Sequence, residues 1–150
     1  MKSVFDPAVQ ASLIERISSL STGNTAQWGK MNLCQMLIHC SRWDEWVLGI
    51  HHPSYKQALI GKLFGKGALQ KLTKDDRPLT KNTPTSNAFR IRETTCDPEM
   101  EKSKWIECIR QYAHYDNPNF IHIFFGKMTR EQVGILAYKH SDHHLRQFGA

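Results

Sequence analysis

The segment from Thr129 to Gly149 constrains this chain more than any other. Thr129-Arg-Glu-Gln132 reads as a capping box, and Glu131 sits where a helix N-terminus favours an anion. Val133, Leu136, Ala137, His140 and His144 then recur at three- and four-residue intervals, with Gln147 next and Gly149 placed as a cap. One face of this helix therefore starts aliphatic and ends in two imidazoles four residues apart. Turning an inward stripe into imidazole carries a desolvation cost, and a divalent metal ion is one way to offset it. The plainer reading is a solvated helix end, where cationic side chains are favoured.

The chain of 150 residues is read as one domain, 1–150, long enough to bury a core. No apolar run approaches the roughly 20 residues that span a bilayer, and the N-terminus lacks the order of a signal peptide. Cys34, Cys40, Cys96 and Cys108 form no CxxC pair, so they are expected to be reduced thiols in a cytoplasmic protein. The formal charge of +6 comes from positions 53 to 92, where nine lysines and arginines face only Asp75 and Asp76. No nucleic-acid-binding motif accompanies that excess and no segment is long enough to span a bilayer, so neither nucleic acid nor membrane is expected as a partner, and the basic segment reads as a solvated helix and loop.

Helices dominate the rest. Asp6-Pro7 starts one that Val9, Leu13, Ile17 and Leu20 carry inward. Asn32 with Gln35 can cap a second, running to about Ile50, where His51-His-Pro53 breaks it. A third spans about Ser54 to Leu72, loosened by Gly61, Gly65 and Gly67. Residues 75 to 87 read as loop and Phe89 to Thr94 as extended. Asp97-Pro98 opens another helix with Met100, Trp105 and Ile109 inward, and Phe120 to Phe125 reads as an aromatic loop.

The second helix holds one histidine, His39, with Gln35, Trp43 and Trp46 on its face. Facing the His140/His144 pair, it would complete three neutral nitrogen donors for a divalent ion, with a position left open. Spacing alone also permits His140 with His143. By itself, His39 is more often a satisfied core histidine.

At these residues the chain resembles a family. His140-Ser-Asp-His-His144-x-x-Gln147, with His39 followed by Trp43-Asp-Glu-Trp46, is similar to the signatures of the DinB/YfiT-like superfamily. Trp28-Gly-Lys-Met31, Phe125-Gly-Lys-Met-Thr129 and His143-His-Leu-Arg-Gln-Phe-Gly149 are similar to a subfamily within it named only as a domain of unknown function. The resemblance implies an all-α fold, a DinB-like four-helix bundle with an additional mid-chain helix. It implies a nickel, zinc or similar ion on His39, His140 and His144. It also implies a metal-dependent enzyme acting on a small molecule, as a thiol-dependent transferase using a low-molecular-weight thiol or as a hydrolase. A non-catalytic metal- or small-ligand-binding bundle is the alternative, and a homodimer is left open.

Around that set, Gln147 could orient His144, Trp43 and Trp46 could wall a pocket with residues 120 to 125, and His143 falls to the surface or behind the ligands. His122 and Glu45, with Asp44, are the candidates for proton transfer. The plainer readings are loop packing for His122 and helix surface for the two acids.

Overall fold

A computed structural model describes residues 1–53 and 57–150. Among them five helices carry the chain: α1 (Pro7–Ser19), α2 (Leu33–Leu48), α3 (Leu59–Leu72), α4 (Pro98–Gln111) and α5 (Arg130–Gln147). Short 3-10 turns occupy Asn87–Phe89 and Tyr112–His114. The aromatic stretch before α5 is not loop throughout. It forms an antiparallel hairpin of β1 (Ile121–His122) and β2 (Gly126–Lys127), with Ile121 opposite Lys127.

Local chemistry sets most helix starts. The Asp6 carboxylate accepts from the Ala8 amide, and Asp97 accepts from those of Glu99 and Met100, each ahead of a proline at the first helical position. Asn32 with Gln35 and Thr129 with Gln132 form reciprocal capping boxes. Two boundaries differ from expectation. α2 stops at Leu48, because Gly49 adopts φ 81° and returns its N–H to the Glu45 and Trp46 carbonyls. α3 starts at Leu59, not near Ser54, and Ser54, Tyr55 and Lys56 lie outside the described residues.

α2 packs along α4 and against α5, and α1 packs against the same two helices. The shared core includes Leu13, Ile17, Met36, Leu37, Trp105, Ile109, Leu136 and Leu145. Met100, expected inward, is half exposed; the buried face of α4 runs through Glu101, Trp105, Cys108 and Ile109 instead. Asp44, expected at the helix surface, is fully buried between α2 and α4, where its carboxylate accepts from Trp105 Nε1 (2.9 Å) and the Tyr112 hydroxyl (2.7 Å). Burial raises its pKa to about 7, against the opposing pull of those two donors.

Two cysteines depart from the expected reduced state. Cys34, in the first turn of α2, is disulfide-bonded to Cys96, 62 residues away, while Cys40 and Cys108 are free and buried. The bond fastens the extended segment 89–96 along α2. On the same segment Gln35 donates to the Ile91 carbonyl, Asn32 to the Thr94 carbonyl and Arg42 to Glu93. The cytoplasmic expectation rested on reduced cysteines, and this bond removes that footing.

α3 packs mainly on the hairpin. Gly61 and Gly65, one turn apart, let its backbone meet that of Phe124, and a Cβ at either would clash with the Phe124 carbonyl. These glycines were expected to loosen the helix; two of the three instead form its packing face, and only Gly67 faces open space. The C-terminal end of α3 is held by the Lys139 ammonium, which donates to the carbonyls of Leu72, Asp75 and Arg77. No helix among the described residues is long and apolar enough to cross a membrane.

Candidate metal centre

α2 and α5 bring His39, His140 and His144 together. One nitrogen from each ring falls within 4.8 Å of the other two, and the ring centroids lie 4.7–5.2 Å apart. His39 and His144 are buried and His140 is partly so, with its Nδ1 out of contact with solvent.

The outer nitrogens fix what the inner ones can do. His39 Nδ1 lies 3.0 Å from the Phe89 carbonyl, which can only accept, so Nδ1 carries the proton and the Nε2 lone pair faces inward. His144 Nδ1 lies 2.9 Å from Gln147 Oε1. That amide is oriented by its own Nε2, which donates to the Trp28 carbonyl at 2.7 Å. His144 is therefore also an Nδ1–H tautomer with a free Nε2.

His140 completes the set without a polar partner behind it. Its Nε2 lies 3.2 Å from His39 Nε2, its Nδ1 is buried with no hydrogen-bond partner, and its ring stacks on Trp43 at 4.1 Å. A single proton on His140 cannot satisfy this arrangement. Placed on Nε2 it bonds His39 and leaves Nδ1 a bare buried acceptor; placed on Nδ1 it leaves lone pairs converging. A cation at the convergence gives the three inner lone pairs a common partner, and only the His140 Nδ1–H is then left without one. Two nitrogens bound at about 2.05 Å to one tetrahedral ion lie about 3.3 Å apart, close to the observed spacing. Burial lowers the pKa of all three rings, that of His144 to about 3, so each is neutral near pH 7, as a ligand must be.

The remaining candidates fall in different places. His143 is half-buried, with its ring 5.6 Å from Trp28, and it is outside the three-nitrogen cluster. Trp46 touches Phe89, Phe120 and His122, and both Trp46 and Phe120 are buried, so these rings pack on one another more than they line an open cleft. His122 lies on β1, not in a loop, and its Nδ1 accepts from the amides of Phe124 and Phe125, both at 3.1 Å. Its proton therefore sits on Nε2, which makes the neutral ring a donor on that side rather than a base or ligand. Glu45 lines a shallow cleft with Arg42, Glu93, Glu101 and Lys104, a cleft that none of the three histidines lines.

The Phe89 carbonyl and Trp28, the two supports behind the cluster, come from a 3-10 turn and a loop to which sequence reading gave no part in the site. The only signal for them was indirect: Trp28 is a large apolar residue in a short polar loop.

The molecule is thus a helical protein with three neutral imidazoles held to a common point. The chain belongs to the family described as "Protein of unknown function (DUF1569)", whose model matches residues 7–150. No curated protein and no solved structure matches it.

Proposed function

We propose that this protein is a DinB-like metalloprotein. In this reading α1, α2, α4 and α5 form the four-helix bundle and α3 is the additional helix. His39, His140 and His144 hold one divalent ion, nickel or zinc, and the protein acts on a small molecule as a thiol-dependent transferase or a hydrolase. The observation that carries this is the convergence of two fixed Nε2 lone pairs on His140, whose one proton cannot satisfy them. Such an ion supplies Lewis acidity and, with three protein ligands, an exchangeable position.

The chain's own groups do the rest. The Phe89 carbonyl and the Gln147 amide hold two rings in the tautomer a ligand needs, and Trp43 holds the third by stacking. From His140 a layer of rings runs through Trp43 to Trp46, and from Trp46 to Phe120 and His122. His122 Nε2–H is a fixed donor suited to a developing negative charge on a substrate, whereas Glu45 is too far round α2 to share that task.

Elemental analysis of the purified, untagged protein tests the metal. About one equivalent is expected, with stoichiometric binding abolished in His144→Ala and largely kept in His143→Ala. Equal loss in both variants would count against the assignment. Turnover is tested by screening metal-loaded protein against small electrophiles with and without low-molecular-weight thiols. Activity that survives His140→Ala would sink the metal mechanism. Metal binding without any turnover would favour a carrier or ligand-binding bundle.

A further inference from the structure

α3 presents an apolar face to solvent. Leu59 is 79% exposed, Leu63 77%, Phe64 63% and Ile60 60%. These residues form two i, i+4 pairs on adjacent ridges, opposite the buried Gly61, Gly65 and Leu69. An unpaired run of large side chains is unusual on a protein surface and marks an interaction site. Lys62 and Lys66 line one flank, and Lys71 follows Phe64 two turns on along the same ridge, all exposed. No acidic residue occurs between Glu45 and Asp75.

The helix is held ready for contact. The Ala58 amide donates to the Ile123 carbonyl, the two glycines seat the inner face on Phe124, and Lys139 caps the far end. The outer face is thus fixed, with apolar side chains projecting beside lysines.

We propose that this face of α3 docks on an anionic membrane surface, lying in the headgroup layer without crossing the bilayer. Charge decides between occupants. A second copy meeting the face about a two-fold axis would bring together two helices that carry Lys62, Lys66 and Lys71 and no acidic residue. A headgroup layer of anionic lipid gives each lysine a partner while Leu59, Ile60, Leu63 and Phe64 enter the acyl boundary. Lysine stems long enough to lie along apolar surface while the ammonium stays in water suit that depth. At 1.5 Å per residue, a 14-residue helix is about 21 Å long, enough to lie flat on a bilayer as a single contact. The expectation of no membrane partner rested on the lack of a spanning segment, which a surface contact does not require.

The test is co-sedimentation of the full chain with phosphatidylcholine vesicles containing roughly one-third phosphatidylserine, beside pure phosphatidylcholine vesicles. The wild type should pellet with the anionic vesicles and be released as salt rises. Lys62→Gln/Lys66→Gln should weaken binding roughly thirtyfold and Leu63→Gln/Phe64→Gln at least about tenfold. Both double variants should keep the wild-type circular dichroism. Failure of the wild type to bind, or equal binding by Leu63→Gln/Phe64→Gln, overturns the proposal. So does a dimer in vesicle-free solution that this variant disrupts, because the face would then serve a second copy. The histidine cluster takes no part, so a metal-free protein should bind the same vesicles.

Discussion

Between α2 and α5 three imidazoles are drawn out of water, while on α3 four large apolar side chains are held in it. Both regions reverse the usual sorting of side chains, and reversals are where a surface or a core is informative. They are sustained differently. Each buried ring needs something behind it: a carbonyl at His39, an amide at His144 and an indole face at His140. Those supports come from segments 89, 147 and 43, with Trp28 behind Gln147. The exposed face of α3 needs only a helix fixed in place, and two glycines and a lysine provide that. Substitutions around the cluster should therefore spread into stability, and substitutions on the outer face of α3 should not.

The largest expected effect tests the framework behind His39. Cys34→Ser opens a loop of 62 residues, which by chain entropy costs about 4 kcal/mol. It also frees the segment whose Phe89 carbonyl orients His39, so metal affinity should fall with stability. Urea unfolding with and without a thiol reductant measures the first effect, and a metal competition assay the second. Unchanged stability on reduction would mean that hydrogen bonds from Gln35 and Asn32 suffice to hold the segment.

Next comes a pH effect at the hairpin that joins the two regions. Burial lowers the His122 pKa to about 3, against an ordinary value of 6.5. Between those values the unfolded chain takes up a proton that the folded one refuses. Stability is thus full above about pH 6.5 and declines as pH falls towards 3, by about 3 kcal/mol at pH 4.5. In His122→Asn the amide oxygen can accept in place of Nδ1 without titrating. Measured on chelator-treated protein at pH 7.5 and 4.5, the wild type should lose about 3 kcal/mol more than this variant. Parallel losses would show that His122 is not the titrating group.

What was legible in the sequence divides along physical lines. Helix starts were readable because a cap is a contact between residues two or three apart: Asp6, Asn32, Asp97 and Thr129 all cap as their spacing suggests. The meeting of His39, His140 and His144 was expected from two inward stripes read together with a family resemblance, because spacing alone also permitted His143. The Cys34–Cys96 bond and the burial of Asp44 were not readable, because each depends on partners at least 60 residues away: Cys96 for the bond, Trp105 and Tyr112 for the carboxylate. α3 was misread for a different reason. It was read only as a helix loosened by glycine, with no inward face, because a run such as Leu59-Ile-Gly-Lys-Leu-Phe64 gives no phase for a helix that packs through glycine.

A third test targets that packing. Gly65→Val places a branched side chain against the Phe124 carbonyl and should cost about 2 kcal/mol. The damage should stay local, separating α3 from the hairpin while the histidine cluster keeps its geometry and metal content. A drop in metal content matching the loss of stability would show that the two regions are coupled through Phe124 and His122.

The smallest expected effect lies within α3 itself. Leu69 is buried against the body of the protein, and Leu69→Ala should cost about 2 kcal/mol or more. Leu63, fewer than two turns earlier, is in water in the folded chain and equally so in the unfolded one. Leu63→Gln therefore removes no burial and creates no cavity, and its effect on unfolding should stay within about 0.5 kcal/mol. Two substitutions of the same residue type on one helix should thus separate by several-fold in urea denaturation. If Leu63→Gln instead destabilises the free protein as much as Leu69→Ala, the outer face of α3 already has an intramolecular partner, and its reading as a presented surface fails.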